Sequence, residues 1–404
     1  MRLFGDGRAA LAGDPVMAER LGWGVRKRSS GGAEIVLAPV DGDPRAEPWI
    51  ARGRVAPGGG VAVLWEGGGK DWTYLRDAPG VPRYLRRMAE PARGRSFTVG
   101  ISGLGRVGGL AASALAACAG SGIGTLLIHD CDGGNLERMV QELGSVARWR
   151  AGSRLPQVEA AGLGEMMRRC DAFLFAAASA VPPLGTEGEV RLTQFGPNRE
   201  CLKGALEAAN AEGFAGLFLM VSDPVEVLAQ TAFHDSNAPE GAWLGTGLAP
   251  ERVGGLALGV MWGRAMAAAE AAGQGERVAR RGVPYGPHST EVLVYDDPAG
   301  PDPALCEAMT RAARTGNYRV RDLGFLPYIG PALSSIVLTL PRLLAGREVL
   351  ASSFVDGVYF GSPCRLRWGL GPTRRRLAPE VKRQVEELHL LLQDRMARLG
   401  LSWR

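Results

Sequence analysis

A glycine-rich loop is the most informative chemical motif in this sequence. Residues 97–101 are typical of an apolar strand, which runs into Gly103-Leu104-Gly105-Arg106-Val107-Gly108 and then an alanine-rich stretch. Glycines at this spacing permit a tight turn, the approach of backbone amides to a pyrophosphate, and close packing of helix on strand. The loop therefore predicts a dinucleotide site at the start of a helix.

An acidic residue follows this loop at the spacing that such a site requires. Asp130 ends the next predicted strand, 22 residues beyond Gly108, where a carboxylate hydrogen-bonds the adenosine ribose. Because a carboxylate would repel the 2′-phosphate of NADP, the pattern favours NAD. The alternative is a Rossmann unit that binds no cofactor and uses its glycines for packing. Besides the glycines and Asp130, we expect cofactor contacts from Arg106, Val107, Ala177 and Ser222.

Apolar strands and alanine-rich helices alternate from residue 96 onward. The strand-like runs are 97–101, 125–129, 172–176 and 217–221. This alternation predicts a doubly wound parallel sheet of the α/β class. Residues 1–95 instead hold short β-rich runs between Gly, Pro and Asp clusters, which predicts a small antiparallel β-rich domain. A helical spacing of apolar residues over 379–399 predicts an amphipathic final helix.

Composition excludes several classes of protein. Of 404 residues, 46% are hydrophobic and 22% charged, as in a folded globular chain. The 43 arginines and four lysines are scattered among 42 acids, which argues against nucleic-acid binding. The uncharged stretch 110–128 is broken by glycines, so we expect helix, turn and strand rather than a membrane span. The six cysteines form no C-x-x-C pair, and we expect a cytoplasmic location.

Motifs beyond the glycine loop resemble the lactate and malate dehydrogenases. The segments are GEVRL at 188–192, VSDPVEVL at 221–228, GTG at 245–247, LAPER at 248–252 and GPHS at 286–289. The resemblance covers about residues 96–404. It implies an NAD-binding Rossmann domain at 96–241, an α+β catalytic domain at 242–404, a small carboxylate substrate, and a homo-oligomer, either a dimer or a tetramer.

The same resemblance implies roles for individual side chains. His288 would exchange a proton with the carbonyl oxygen of a 2-oxo acid during hydride transfer. Arg252 would clamp the substrate carboxylate, and Arg191, on a mobile loop, would polarise the carbonyl. Asn198 would contribute to substrate binding. Histidine is far rarer here than arginine, four residues against 43, so the histidine match is the more informative.

The sequence also departs from the family pattern. Ala249 aligns with the aspartate that orients the catalytic histidine, although shifting the gap would bring Glu251 there instead. Asp223 replaces a neutral asparagine, where its carboxylate could hold His288 or repel an anionic substrate. The loop 180–187 lacks the additional arginine of malate dehydrogenases, which favours an uncharged or larger substrate side chain. The aromatic and proline residues of 324–331 are expected to form the far wall of the substrate pocket.

Three functions follow as hypotheses. The first is an NAD-dependent reductase of a 2-oxo acid, or of a related carbonyl or imine with an adjacent carboxylate. The second is a catalytically degenerate NAD-binding sensor or scaffold, motivated by the changes at Ala249 and Asp223. The third is a specialised biosynthetic reductase in which residues 1–95 recruit a large substrate.

Overall fold

The structure is a computed structural model, and it describes part of the chain. Side chains and backbone are described for residues 96–118, 120–146, 155–179, 192–214, 216–238, 247–248, 250–366, 370–373 and 375–402. Residues 147 and 148 and seven strands within the first 95 residues are described by their backbone alone.

The strands of the first 95 residues pair antiparallel. A two-stranded ladder joins β1 (Leu3–Gly5) and β2 (Ala10–Ala12). A five-stranded sheet follows in chain order: β3 (Trp23–Arg28), β4 (Ile35–Pro39), β5 (Ile50–Val55), β6 (Val61–Gly67) and β7 (Lys70–Arg76). The predicted β-rich character of this region is confirmed.

A nine-stranded sheet organises the rest of the chain, in the order β10-β9-β8-β11-β12-β13-β16-β17-β18. Its parallel strands are β8 (Phe97–Ser102), β9 (Ile123–His129), β10 (Gln157–Ala160), β11 (Ala172–Phe175), β12 (Leu217–Met220) and β13 (Val253–Gly255). The antiparallel strands are β16 (Val349–Val355), β17 (Val358–Leu366) and β18 (Leu370–Pro372), while β14 (Val283–Tyr285) and β15 (Leu293–Tyr295) form a separate hairpin. The sheet thus confirms the predicted α/β fold.

Helices cover this sheet. They are α1 (Arg106–Ala116), α2 (Gly133–Arg148), α3 (Leu163–Arg169), α4 (Phe195–Ala211), α5 (Val225–Asn237), α6 (Leu258–Ala271), α7 (Gly275–Arg281), α8 (Pro303–Asp322), α9 (Leu340–Leu344) and α10 (Pro379–Arg398), with a π-helical segment at Pro331–Val337. The final helix matches the predicted one, and the stretch 110–128 is helix, turn and strand as expected. Within the described residues, no helix combines the length and hydrophobicity needed to cross a bilayer.

Side chains of the central strands point alternately to the two faces of the sheet, which explains why helices are needed on both faces. In β11, Phe173 and Phe175 enter a core shared with α4 and α5, whereas Leu174 enters a core shared with α1 and the π-helical segment. Successive side chains of a strand point to opposite faces, so a strand that is apolar throughout must be covered twice. The carboxyl ends of the parallel strands then meet at one edge, and the loops there can form a site.

Candidate active site

The glycine loop between β8 and α1 has the geometry of a dinucleotide-binding turn. Gly103 has φ of +94°, a conformation that favours glycine. A Cβ atom on Gly108 would lie 1.9 Å from the carbonyl oxygen of Gly103, so only glycine lets α1 pack this closely. At Gly105 a Cβ atom would meet no described atom within 4 Å. Space therefore remains beside this glycine at the helix N-terminus, where a pyrophosphate would approach.

Asp130 follows β9 and is tied to the same loop. Its Oδ2 accepts hydrogen bonds from the backbone N of Leu104 at 2.6 Å and from Nδ2 of Asn135 at 3.2 Å, and its Oδ1 accepts one from the backbone N of Asp132 at 2.9 Å. Burial acts to raise the pKa of Asp130, but these donors outweigh it and hold the pKa below its usual value. The carboxylate therefore stays ionised and partly exposed, able to accept ribose hydroxyls.

A cavity of about 180 Å³ lies between the glycine loop and the C-terminal half of the chain. It is lined by residues from both halves of the sequence. These include Arg106, Val107, Ala176, Ala178, Ser222, Asp223, Arg264, His288, Asn317, Arg321 and Ser335. The segment predicted as a far wall contributes Leu326, Pro327, Tyr328 and Pro331. The predicted residue Ala177 borders this region through its carbonyl oxygen, which accepts a hydrogen bond from Ser222 Oγ at 2.6 Å.

A second cavity of about 840 Å³ lies between α1, α2 and the segment 324–328. It shares Arg106, Leu326 and Tyr328 with the smaller cavity, and the guanidinium of Arg106 lies 5.9 Å from the centroid of the Tyr328 ring. His288 and Asp223 line only the smaller cavity. The smaller one is therefore the candidate site of the chemistry, hereafter the active-site cavity.

His288 and Asp223 face each other in the active-site cavity. His288 Nε2 lies 3.9 Å from Asp223 Oδ1, and the side chain of His288 is only 8% exposed. His288 follows Gly286, whose φ is +101° and whose backbone N donates to the carbonyl oxygen of Gly361 at 2.9 Å. The turn after β14 is thus anchored to β17, which fixes where the imidazole lies.

Glu226 supports His288 from the first turn of α5. Its Oε2 accepts a hydrogen bond from the backbone N of His288 at 3.1 Å, and its Oε1 accepts one from Ser352 Oγ at 2.7 Å. Burial raises the pKa of Glu226 to about 7, although these two donors act against the rise, and the nearby charge of Asp223 adds to it. The sequence offered only a weak signal for Glu226, a single acid in an otherwise apolar helix start.

Asn198 is completely buried in α4 and joins two loops at the edge of the sheet. Its Nδ2 donates to the carbonyl oxygen of Asp223 at 2.7 Å, and its Oδ1 accepts from the backbone N of Ser179 at 3.1 Å. Asn198 is not among the residues that line the active-site cavity. Its amide holds the backbone of Asp223 in place, and its role in substrate binding stays a prediction.

The structure does not bring Arg252 to the active-site cavity. This arginine immediately precedes β13, which is parallel to β12 with Phe218 opposite Val253, whereas Asp223 follows the other end of β12. Arg252 is therefore buried at the opposite edge of the sheet, with Glu251 beside it, and the expected clamp by Arg252 is not supported by its position. Arg191, Ala249 and the loop 180–187 lie outside the described residues.

Arg264 of α6 is an arginine that does line the active-site cavity. Its Nη1 lies 3.4 Å from the carbonyl oxygen of Ala313, which accepts its hydrogen bond. A Cβ atom on Gly316 would come within 2.5 Å of Arg264 Cδ, so this glycine of α8 gives the arginine room to pass. The sequence gives no signal for Arg264, because the family motif resembles LAPER, before β13, rather than the helix that follows β13.

The remaining histidines have structural partners of their own. His129 Nδ1 lies 3.2 Å from Ser102 Oγ, His234 Nδ1 lies 2.9 Å from Asp235 Oδ1, and His389 Nε2 lies 2.9 Å from the carbonyl oxygen of Val355. None of the three lines the active-site cavity. Within the described residues, no group of side chains has the composition of a metal site.

Comparison with solved structures shows the fold of lactate and malate dehydrogenases. MGS-M5, a lactate dehydrogenase from a Medee basin deep-sea metagenome library, is 19% identical, with a TM-score of 0.61 over 76% of this chain and 99% of its own. Malate dehydrogenase from Archaeoglobus fulgidus, solved in complex with NADH, is 19% identical, with a TM-score of 0.60 over 75% and 99%. The minor L-lactate dehydrogenase of Enterococcus mundtii is 18% identical, with a TM-score of 0.59 over 74% and 97%.

Neither a family model nor a curated protein sequence matches the chain. The predicted likeness to lactate and malate dehydrogenases is therefore confirmed for the fold.

Proposed function

We propose that this chain is an NAD-dependent oxidoreductase that interconverts a 2-oxo acid and the corresponding 2-hydroxy acid. The observation that carries the proposal is the active-site cavity, in which His288, Asp223 and Arg264 meet beside Val107 of the glycine loop. A titratable acid, a carboxylate partner and a cation next to a dinucleotide turn are the components of such a reaction.

The residues around the glycine loop fit NAD. The open space at Gly105 and the partly exposed carboxylate of Asp130 support this proposal, since they would take the pyrophosphate and the ribose hydroxyls. Arg106, Val107, Ala177 and Ser222 would border the rest of the cofactor. When bound, the nicotinamide supplies the two-electron chemistry, and the protein supplies position and proton transfer.

His288 is the proposed proton donor in the direction of reduction. Its protonated imidazole donates a proton from Nε2 to the carbonyl oxygen of the substrate, and recovers a proton there in the reverse direction. Glu226 fixes the backbone of His288, and Arg264 binds the substrate carboxylate through charge-assisted hydrogen bonds.

We retain Arg191 as a proposed loop residue that polarises the carbonyl. A homo-oligomeric state and a cytoplasmic location also remain predictions.

Asp223 is proposed to supply a negative charge next to His288, on the side of the ring nitrogen that donates the proton. Its negative charge, 3.9 Å from Nε2, stabilises the imidazolium form of His288. Asp223→Asn should therefore lower kcat at neutral pH by about tenfold, since roughly 1.4 kcal/mol of charge stabilisation corresponds to that factor. A rise in kcat with anionic substrates would instead mean that Asp223 repels them.

The direct test of the proposal follows NADH absorbance at 340 nm with a panel of 2-oxo acids of differing side chains. We expect NADH consumption matched by formation of the 2-hydroxy acid for at least one member. If NADH binds, as measured by its fluorescence, but no member of the panel is reduced, the proposed reaction is wrong. The cofactor-binding sensor or scaffold would then be the better account.

A further inference from the structure

Two neighbouring polar side chains of α8 face the active-site cavity and have no role in the proton transfer just described. Asn317 and Arg321 lie one helical turn apart and both line the cavity. Asn317 is only 5% exposed, although most buried residues of this helix are apolar or small. A polar amide at this position therefore calls for an explanation.

The side chain of Asn317 carries a buried acceptor that is not satisfied within the described residues. Its Oδ1 is buried and accepts no hydrogen bond from the residues that the structure describes. Burying a polar group without a partner is costly, so such groups in native proteins are normally satisfied by protein, water or ligand. Because Asn317 lines the cavity, a bound substrate is the natural partner.

The chemistry of the two side chains restricts what that substrate carries. An asparagine amide has both donors and acceptors, whereas a guanidinium only donates. With Asn317 Oδ1 as the atom that lacks a donor, a distal carboxylate would accept from Arg321 but could give no proton to that oxygen. A distal carboxamide donates to Asn317 and accepts from Arg321, and it pairs with the Asn317 amide in either orientation.

We propose that Asn317 and Arg321 are specificity-determining residues that select a 2-oxo or 2-hydroxy acid whose side chain ends in a carboxamide. This inference rests on the proposed function, because it assigns the far end of the same substrate. The sequence predicted an uncharged or larger substrate side chain. The proposal makes this more specific: the side chain is uncharged and ends in a group that both donates and accepts hydrogen bonds.

Three 2-hydroxy acids of nearly equal shape test this proposal. 2-Hydroxysuccinamate ends in a carboxamide, malate in a carboxylate, and 2-hydroxy-4-methylpentanoate in an isopropyl group. Their dissociation constants are measured by calorimetry on protein loaded with NADH, which cannot react with a hydroxy acid. We expect the amide to bind about tenfold more tightly than the isopropyl compound, since a site built to hydrogen-bond discriminates against analogues that lack the group.

Substitutions in α8 test whether this helix determines the preference for the amide. Asn317→Leu should remove the preference for the amide, and Arg321→Met should weaken amide binding severalfold. Arg319→Met, which removes the same charge from an exposed position of α8, is the matched control and should change nothing. Thermal unfolding checks that each variant folds. If Asn317→Leu does not fold, the wild-type ranking and Arg321→Met decide.

The outcomes separate this inference from the proposed function. Tightest binding of malate or of the isopropyl compound, or an amide preference that survives both α8 substitutions, would overturn the inference while leaving a 2-hydroxy acid enzyme in place. Binding of NADH without binding of any of the three acids would overturn both.

Discussion

The two halves of the proposed active-site cleft are specified by the sequence in different ways. On the dinucleotide side, the loop from Gly103 to Gly108 is continuous in sequence and needs only β9 to deliver Asp130. On the substrate side, Asp223, Arg264, His288 and Asn317 come from four separate elements. A local motif can therefore fix the first half, whereas only the tertiary fold assembles the second.

Replacing His288 tests the substrate side with the largest expected effect. His288→Ala should lower kcat by about a thousandfold, within the range that general acid catalysis contributes. NADH affinity should stay within about twofold of wild type, because the glycine loop and Asp130 are untouched. Stopped-flow turnover and NADH fluorescence titration measure the two quantities. An unchanged kcat in His288→Ala would show that His288 is not the proton donor.

The buried carboxyl of Glu226 gives the substrate side a pH-dependent stability. Its folded-state pKa of about 7 lies above the ordinary 4.5, so the folded protein keeps a proton that the unfolded chain releases between those pH values. The stability that Glu226 contributes is therefore complete below pH 4.5 and declines as pH rises to about 7. Relative to Glu226→Gln, the free energy of unfolding should fall by about 3 kcal/mol over that interval.

Urea unfolding of wild type and Glu226→Gln at several pH values checks this expectation. The glutamine keeps a similar shape and an acceptor for Ser352, so the difference between the two curves isolates the titration. A difference that is constant from pH 4.5 to pH 8 would show that burial does not raise the pKa of Glu226 in solution.

Substituting Arg264 decides which arginine serves the substrate side. Arg264→Met should reduce kcat/KM for the 2-oxo acid by about a hundredfold through loss of charge-assisted hydrogen bonds. Arg311→Met, on the exposed surface of α8, is the control and should leave the value unchanged. Gly316→Ala should raise KM severalfold with a normal NADH affinity, because its methyl group displaces Arg264. Normal kinetics in Arg264→Met would refute the assignment.

Substitutions of two glycines on the dinucleotide side have the smallest expected effects on stability and NADH affinity. Gly105→Ala adds a methyl group in open space, so stability should change by less than about 1 kcal/mol while NADH affinity falls about tenfold. Gly108→Ala forces a backbone clash and should lower stability by about 2 kcal/mol. Thermal unfolding and NADH titration separate the two. Equal effects on stability would contradict the distinct roles.

Prediction from the sequence succeeded where periodicity and local motifs carry the information. The runs 97–101, 125–129, 172–176 and 217–221 correspond to β8, β9, β11 and β12, and the final helix begins at Pro379 as expected. Parallel strands buried on both faces leave a clear apolar signature in the sequence.

Prediction was weaker where a role depends on which end of a short strand a residue occupies. β13 has only three residues, and its parallel register with β12 moves Arg252 to one edge of the sheet and leaves Arg264 at the other. No local pattern distinguishes one arginine from another among 43. No sequence motif marks Asn317 or Arg321, because only the packing of α8 in the fold brings them to the cavity.

Transfer of an isotopic label from the cofactor to the substrate tests the central claim most directly. The protein is incubated with NADH deuterated at the transferable position of the nicotinamide and with 2-oxo acids, including one that bears a distal carboxamide. Mass spectrometry should find deuterium at C2 of the product 2-hydroxy acid, and the yield should collapse in His288→Ala. Tight binding of the labelled cofactor with no deuterated hydroxy acid from any substrate would contradict the account.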